Sequence, residues 1–175
     1  RDFERGEAAA RRAAALQEEL LSGQEGIVIV GAYMRQGHLA ALQERWAEAL
    51  ERFERELAFL QRVDHALRSR IQIELHLRLG SACLGLGQAE RARAAFALAQ
   101  GAFEQRLRLG ADDPFTRYYA ACVHARRGEA GAALEALEQS ARQAQAFTVE
   151  RARIEPELEG LAHEPRFRAL VGLAG

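Results

Sequence analysis

The residues of this sequence that could do chemistry are two cysteines and five histidines, and they are scattered along the chain. His76 and Cys83 are seven residues apart and would share one face of a helix, and Cys122 lies two residues before His124. Imidazole and thiolate groups are common zinc ligands. No metal-binding cysteine spacing is present, however, and an isolated cysteine is more often a small buried apolar residue. We therefore predict no metal site, and a zinc site built from these four side chains is the less favoured alternative.

Motifs for catalysis or for phosphate binding are also missing from the sequence. A P-loop of the ordinary type needs a lysine, and the chain has none. The stretch "GSACLG" (80–85) lacks the spacing of a nucleophile elbow, and H-E-x-x-H does not occur. Carboxylates are numerous, but they alternate with arginines three or four residues away, which is typical of solvated helix faces. We predict a protein that is not an enzyme and uses no cofactor.

The charge pattern disfavours nucleic acid and membrane partners. All 24 basic residues are arginines, acidic residues are interleaved with them, and the formal net charge is −1. The longest apolar run, "GIVIVGAYM" (26–34), is far shorter than the roughly 20 residues that span a bilayer. We expect a soluble, cytoplasmic protein. Because the chain begins at Arg1 rather than at methionine, we also expect a larger parent protein.

The elements that must position any functional residue are helices. Prolines occur only at positions 114, 156 and 165, and apolar residues recur at helical spacing almost throughout. An aspartate before Pro114 predicts a helix start there. The stretch "IVIV" (27–30) could alternatively be a strand, although no second β-branched run exists to pair with it. The predicted helices cover residues 2–21, 27–43, 45–66, 70–86, 88–109, 114–127, 129–145 and 148–154, with short helices at 156–162 and 164–172.

A spacing of small and bulky residues recurs three times. Gly80 is followed after twelve residues by Ala92 and after four more by Phe96. The same two spacings connect Gly37, Ala49 and Phe53, and again Ala121, Ala133 and Leu137. The three alanines are 43 and 41 residues apart, so the chain contains an internal repeat.

Helix packing explains this pattern. A glycine within a helix costs roughly 1 kcal/mol relative to alanine. In return, a small residue on one helix facing an alanine on the next lets two antiparallel helices approach closely. The bulky residue one turn later fills the space towards the neighbouring pair. Gly87 and Gly128 provide the left-handed conformation of the turn, and Glu44 holds that place in the first copy. We assign Gly85 to the fraying end of a helix.

These spacings resemble the tetratricopeptide repeat. The segments "LRLGSACLGLGQAERARAAFALA" and "RYYAACVHARRGEAGAALEALEQSA" match its helix–turn–helix signature well, and "YMRQGHLAALQERWAEALERFEREL" matches it less well. The period exceeds the usual 34 residues or so, which resembles the long version found in bacterial regulators and signalling ATPases. The ending "RIEPELEGLAHEPRFRALV" resembles the terminal segment of repeat arrays in bacterial signalling proteins. A HEAT or armadillo array, with a period of about 40–47, is the structural alternative.

The resemblance implies an all-α, right-handed helical solenoid of antiparallel helix pairs. We divide the single domain into a partial repeat helix (2–21), three repeats (27–66, 70–109 and 113–145) and C-terminal capping helices (148–175). Terminal repeats need a cover for their apolar face. The predicted cover consists of Phe147, Leu158, Leu161, Phe167 and Leu170.

The first helix of each pair should line the concave face, where a partner would bind. An apolar floor edged by arginines suits a protein or peptide that carries acidic residues. Each of these side chains could equally pack on the next repeat. The family's clamp for terminal carboxylates relies on lysine and asparagine, which are both absent here. The predicted partner-binding residues are Met34, Arg35, His38, Leu77, Arg78, Ser81, Tyr118, Tyr119 and Arg126.

The sequence thus favours non-catalytic protein–protein recognition, as a regulatory or scaffolding part of a larger bacterial signalling protein. The assignment to a bacterial signalling protein rests on the resemblance to the family and not on chemistry. The alternative is a structural spacer or a self-assembly module, in which the half-repeat 2–21 docks on a second copy to form a homodimer.

Overall fold

The computed structural model describes residues 3–23 and 29–172, and there it is all-α, with nine α-helices, one 3₁₀ helix and no strand. Within that part of the chain, no helix combines the length and the apolarity needed to cross a bilayer. The α-helices are α1 (Phe3–Gly23), α2 (Ala32–Ala41), α3 (Trp46–Arg62), α4 (Arg68–Gly85), α5 (Ala89–Arg108), α6 (Pro114–Arg126), α7 (Ala130–Gln143), α8 (Gln145–Ala152) and α9 (Pro165–Leu170). The 3₁₀ helix is Pro156–Leu161.

The helix boundaries follow local sequence signals at most ends. α6 begins with Pro114 at its first position, and the Asp113 carboxylate accepts a hydrogen bond from the Thr116 N–H at 2.8 Å, as the sequence predicted. Gly87 and Gly128 lie in the left-handed region with φ of 72° and 78°, which confirms their assignment as turn glycines. Glu44 takes the same conformation in the first turn, with φ of 58°.

Two predicted elements differ from the structure. The second helix was expected from residue 27, but α2 begins at Ala32, because Gly31 has φ of 93° and a helix cannot run through it. Residues 27 and 28 of the "IVIV" stretch lie outside the described residues, and residues 29 and 30 are neither helix nor strand. The helix expected at 148–154 is α8, which begins three residues earlier, directly after a break at Ala144.

Close contacts join the helices into three consecutive hairpins, α2 with α3, α4 with α5 and α6 with α7. A Cβ placed on Gly80 would lie 2.4 Å from Cε1 of Phe96, and one on Gly37 would lie 2.6 Å from Cε1 of Phe53. In the first two hairpins the glycine is therefore in direct contact with the aromatic ring of the next helix, whereas the repeat pattern predicted that this ring would point towards the neighbouring pair. Gly85 also packs closely, against the Trp46 ring between two hairpins, so its assignment as a fraying residue is wrong.

One hydrophobic core runs from α2 to the C-terminal helices, and a smaller cluster joins α1 to α2. The 3₁₀ helix packs on α6, and α8 and α9 pack on α7. Leu158, Leu161 and Phe167 are buried in this core, while Phe147 and Leu170 are half-buried against it. The C-terminal segment is therefore an integral part of the fold.

Candidate binding groove

The predicted partner-binding residues divide into a buried and an open set. Among them, only Arg35 is exposed, and His38 and Arg126 are half-buried. The others are buried: Met34, Leu77, Arg78, Ser81, Tyr118 and Tyr119. Of these six, Met34 and Arg78 line the groove described below. The open part of the surface therefore lies nearer to α1 and α2 than the sequence suggested.

Arg78 requires a specific correction, because it was expected near the rim and is only 4% exposed. Its Nη1 donates to Oε1 of Glu155 at 2.6 Å and to Glu157, and its Nη2 donates to Oε2 of Glu155 at 3.0 Å. Glu74, one turn earlier on α4, lies 3.6 Å away. The Tyr118 hydroxyl donates to Glu155 at 3.2 Å. The acidic segment that pairs with this arginine thus belongs to the chain itself.

The pKa values of the two glutamates bonded to Arg78 are shifted in opposite directions. Burial raises the pKa of Glu155 to about 7, despite the opposing effect of the Arg78 guanidinium. Burial alone would also raise the pKa of Glu157, but Arg78 outweighs it and holds that pKa well below its usual value. One guanidinium faces three carboxylates here. It can neutralise one negative charge, so ionising a second carboxylate in this buried site costs free energy.

Arg151 on α8 has a different environment. Its guanidinium carbon lies 5.1 Å from the ring centroid of Phe147, 5.5 Å from that of Tyr118 and 5.7 Å from that of Tyr119. Its Nη2 donates to the Tyr119 hydroxyl at 2.8 Å. Burial raises the pKa of both tyrosines, so that hydroxyl is a neutral acceptor. No described carboxylate forms an ion pair with this half-buried cation.

A groove of about 810 Å³ lies between α1, α2, α4 and the start of the C-terminal segment. Its apolar lining includes small side chains from α1, Leu39 and Leu42 at the end of α2, and Ile154 and Pro156. Ile154 is 70% exposed and contributes apolar surface to the groove. The polar residues that line the groove are Arg35, His38, Glu74, Arg78, Arg151 and Glu155.

A buried carboxylate fixes the start of α2, which carries Arg35 and His38. Glu56 on α3 accepts the Gly31 N–H at 2.7 Å and the Tyr33 N–H at 3.1 Å. Gln17 on α1 accepts the Ala32 N–H at 2.9 Å and donates to Glu56 at 3.3 Å. A helix N-terminus attracts negative charge, so α1 and α3 together hold this end of α2 in place.

The cysteines and histidines offer no assembled chemistry in the described part of the chain, where no group of three or more potential ligands could hold a metal ion. Cys83 and Cys122 are buried free thiols, and burial raises the pKa of both. Burial lowers the pKa of His76. Neutral, enclosed thiols react poorly.

Sequence reasoning missed Arg151 and the Glu155–Glu157 segment. The sequence did contain a signal for the Glu155–Glu157 segment, because two glutamates flank Pro156 soon after a predicted helix. Nothing local marks Arg151, since its position depends on how α8 packs against α6 and α7. No family model matches the chain, and it has no significant match among curated proteins or solved structures.

Proposed function

We propose that this chain is a non-catalytic protein–protein interaction module, built as a right-handed helical solenoid of the tetratricopeptide type. We propose further that it serves as the regulatory or scaffolding part of a larger bacterial signalling protein. The three consecutive hairpins support the solenoid, and in the first two of them Gly37 and Gly80 lie directly against the next helix. The left-handed turn residues at Glu44, Gly87 and Gly128 also recur at the expected places.

The groove is the observation that carries this proposal. It is large enough for a peptide segment, its walls are mostly apolar, and Arg35 and Arg151 edge it. Ile154 stands exposed at its border, and apolar surface exposed beside a concave face is typical of interaction sites. The lining residues of α2, α4 and the C-terminal segment belong to helices packed in the main core, and α1 packs on α2 through the smaller cluster, so the surface is preorganised for binding.

A blocking substitution with a matched control tests this proposal. Ala9 lines the groove on α1, whereas Ala15 is exposed on the same helix and does not line it. We expect immobilised wild-type protein and the Ala15→Arg variant to capture the same partner, and the Ala9→Arg variant to lose it. Circular dichroism should show equal helicity for all three proteins. Equal capture by the two variants would reject the groove as the binding surface.

Self-assembly is the second candidate, and the exposed surface of α1 favours it. Leu16 is 44% exposed on this helix, which packs with its other face against α2. Light scattering of the purified chain should then give the mass of a dimer, and Leu16→Glu should convert it to the monomer. A monomeric mass at concentrations of about 100 μM, well above a Kd of 1 μM, would exclude this candidate.

A further inference from the structure

The groove contains two guanidinium groups that form no ion pair with the described residues, Arg35 and Arg151. Arg35 is exposed on α2. Arg151 lies across the aromatic rings of Tyr118, Tyr119 and Phe147 and bonds only to a neutral hydroxyl. Stacking on aromatic rings orients a guanidinium and lowers the entropy that it loses on binding. Arg151 is therefore a preorganised cation whose charge is not neutralised by a carboxylate within ion-pair distance.

The carboxylates that line the same groove are already engaged. Glu155 is bonded to Arg78 through both oxygens, and Glu74 lies 3.6 Å from the same guanidinium. Neither of them lies within ion-pair distance of Arg35 or Arg151, although the Coulombic attraction of Glu74 and Glu155 still reaches the Arg151 guanidinium. The same groove is also lined by apolar residues, among them the small side chains on α1 and Ile154.

We propose that the groove binds a segment of a partner protein that carries a carboxylate next to an apolar side chain. The carboxylate binds Arg151, with Arg35 as the second cation, and the apolar side chain packs between Ala9 and Ile154. This inference rests on the proposed function and names the chemistry of the partner. The chain itself provides a precedent, because its own segment places Glu155 on Arg78 and buries Leu158 three residues later.

A displayed library of random nine-residue peptides, selected on the full 175-residue chain, tests the proposal. We expect enrichment of peptides with aspartate or glutamate beside a large apolar residue. The Arg35→Gln/Arg151→Gln double variant should bind the selected peptides about 10- to 100-fold more weakly, as expected for the loss of charge-assisted hydrogen bonds. The Arg62→Gln/Arg142→Gln variant makes the same change in charge at two exposed positions outside the groove and should bind them normally.

Two further variants separate the possible failures. Arg151→Lys retains the cation and should still bind the acidic peptides preferentially. If Arg151→Gln loses this preference and Arg151→Lys keeps it, the loss is due to the charge and not to packing. Selected peptides that Ala9→Arg blocks but that show no acidic preference would overturn this inference and leave the proposed function standing. Peptides that Ala9→Arg does not block would count against both. A selection that enriches no peptide would overturn the carboxylate proposal.

Discussion

Replacing Gly80 by alanine tests whether the helices touch as closely as the repeat pattern requires. In the middle of a helix, this substitution ordinarily stabilises a protein by about 1 kcal/mol. At Gly80, however, the new Cβ would lie 2.4 Å from Cε1, 2.7 Å from Cδ1 and 2.9 Å from Cζ of Phe96. Phe96 is only 4% exposed, so its ring cannot swing into solvent. The ring or the whole of α5 must shift within a packed core.

The expected magnitude follows from two opposing contributions. Overpacking a core costs about 1–3 kcal/mol, and occasionally more. Three ring atoms below van der Waals distance place this site at the upper end, so we expect Gly80→Ala to lower the free energy of unfolding by about 1–2 kcal/mol net. Gly101 in α5 provides the control, because a Cβ there meets no atom within 4 Å. Gly101→Ala should therefore raise the free energy of unfolding by about 1 kcal/mol.

Urea unfolding followed by far-ultraviolet circular dichroism measures both changes, provided that the m-value stays constant. The third hairpin suggests the rescue, since it has Ala121 and Leu137 where the second has Gly80 and Phe96. In a Phe96→Leu background, Gly80→Ala should lose most of its cost, with a coupling free energy of about 1–2 kcal/mol. If Gly80→Ala proved as stabilising as Gly101→Ala, the close approach of the two helices would be refuted.

Three further predictions concern the buried charges. Arg78→Met leaves two buried carboxylates without their cation and should lower the free energy of unfolding at pH 8 by about 3–5 kcal/mol, measured by urea unfolding. A loss below about 1 kcal/mol would contradict the pairing. In the folded protein, the pKa of Glu155 is about 7, above its usual value of 4.5. The contribution of Glu155 to the free energy of unfolding is therefore fully present below pH 4.5 and is lost as the pH rises through 7. Between pH 5 and 8 the decline should be at most about 1.4 kcal/mol per pH unit, and Glu155→Gln should flatten it; the lowered pKa of Glu157 acts only below pH 4.5. Glu56→Ala should speed hydrogen exchange at the Tyr33 amide, measured by NMR, whereas unchanged protection would exclude its capping role.

The helices were predictable because their determinants are local. Turn glycines, Pro114 with its preceding aspartate, and apolar spacing mark most helix ends within one turn of the chain. At the start of α2, Gly31 is a local signal that the prediction of a helix from residue 27 did not use, and Glu56 stabilises the same end from 25 residues away. A side chain on another helix leaves no signal beside the helix that it caps.

The candidate site was less predictable than the helices. The sequence predicted a partner that carries acidic residues, which stays a prediction, whereas Arg78 binds the chain's own Glu155, 77 residues later. The sequence also placed Tyr118 and Tyr119 in or beside the hollow, but it gave no sign that α8 would lay Arg151 over them. The position of α8 and of the segment after it depends on how several helices pack together and not on the local spacing of residues.

The partners of Arg78 have a consequence for biosynthesis. The guanidinium belongs to the second hairpin, but its counter-ions follow 77 and 79 residues later. On a translating ribosome, the middle of the chain is therefore made well before the carboxylates that neutralise it. In a nascent chain that stops before residue 155, Glu74 is the carboxylate that remains near Arg78 among the described residues. Such a chain either encloses a cation that has lost its two closest counter-ions or leaves that hairpin loose, and in both cases it offers apolar surface to chaperones and proteases. Synthesis of residues 155–157 thus supplies the counter-ions that bind the buried arginine of the second hairpin.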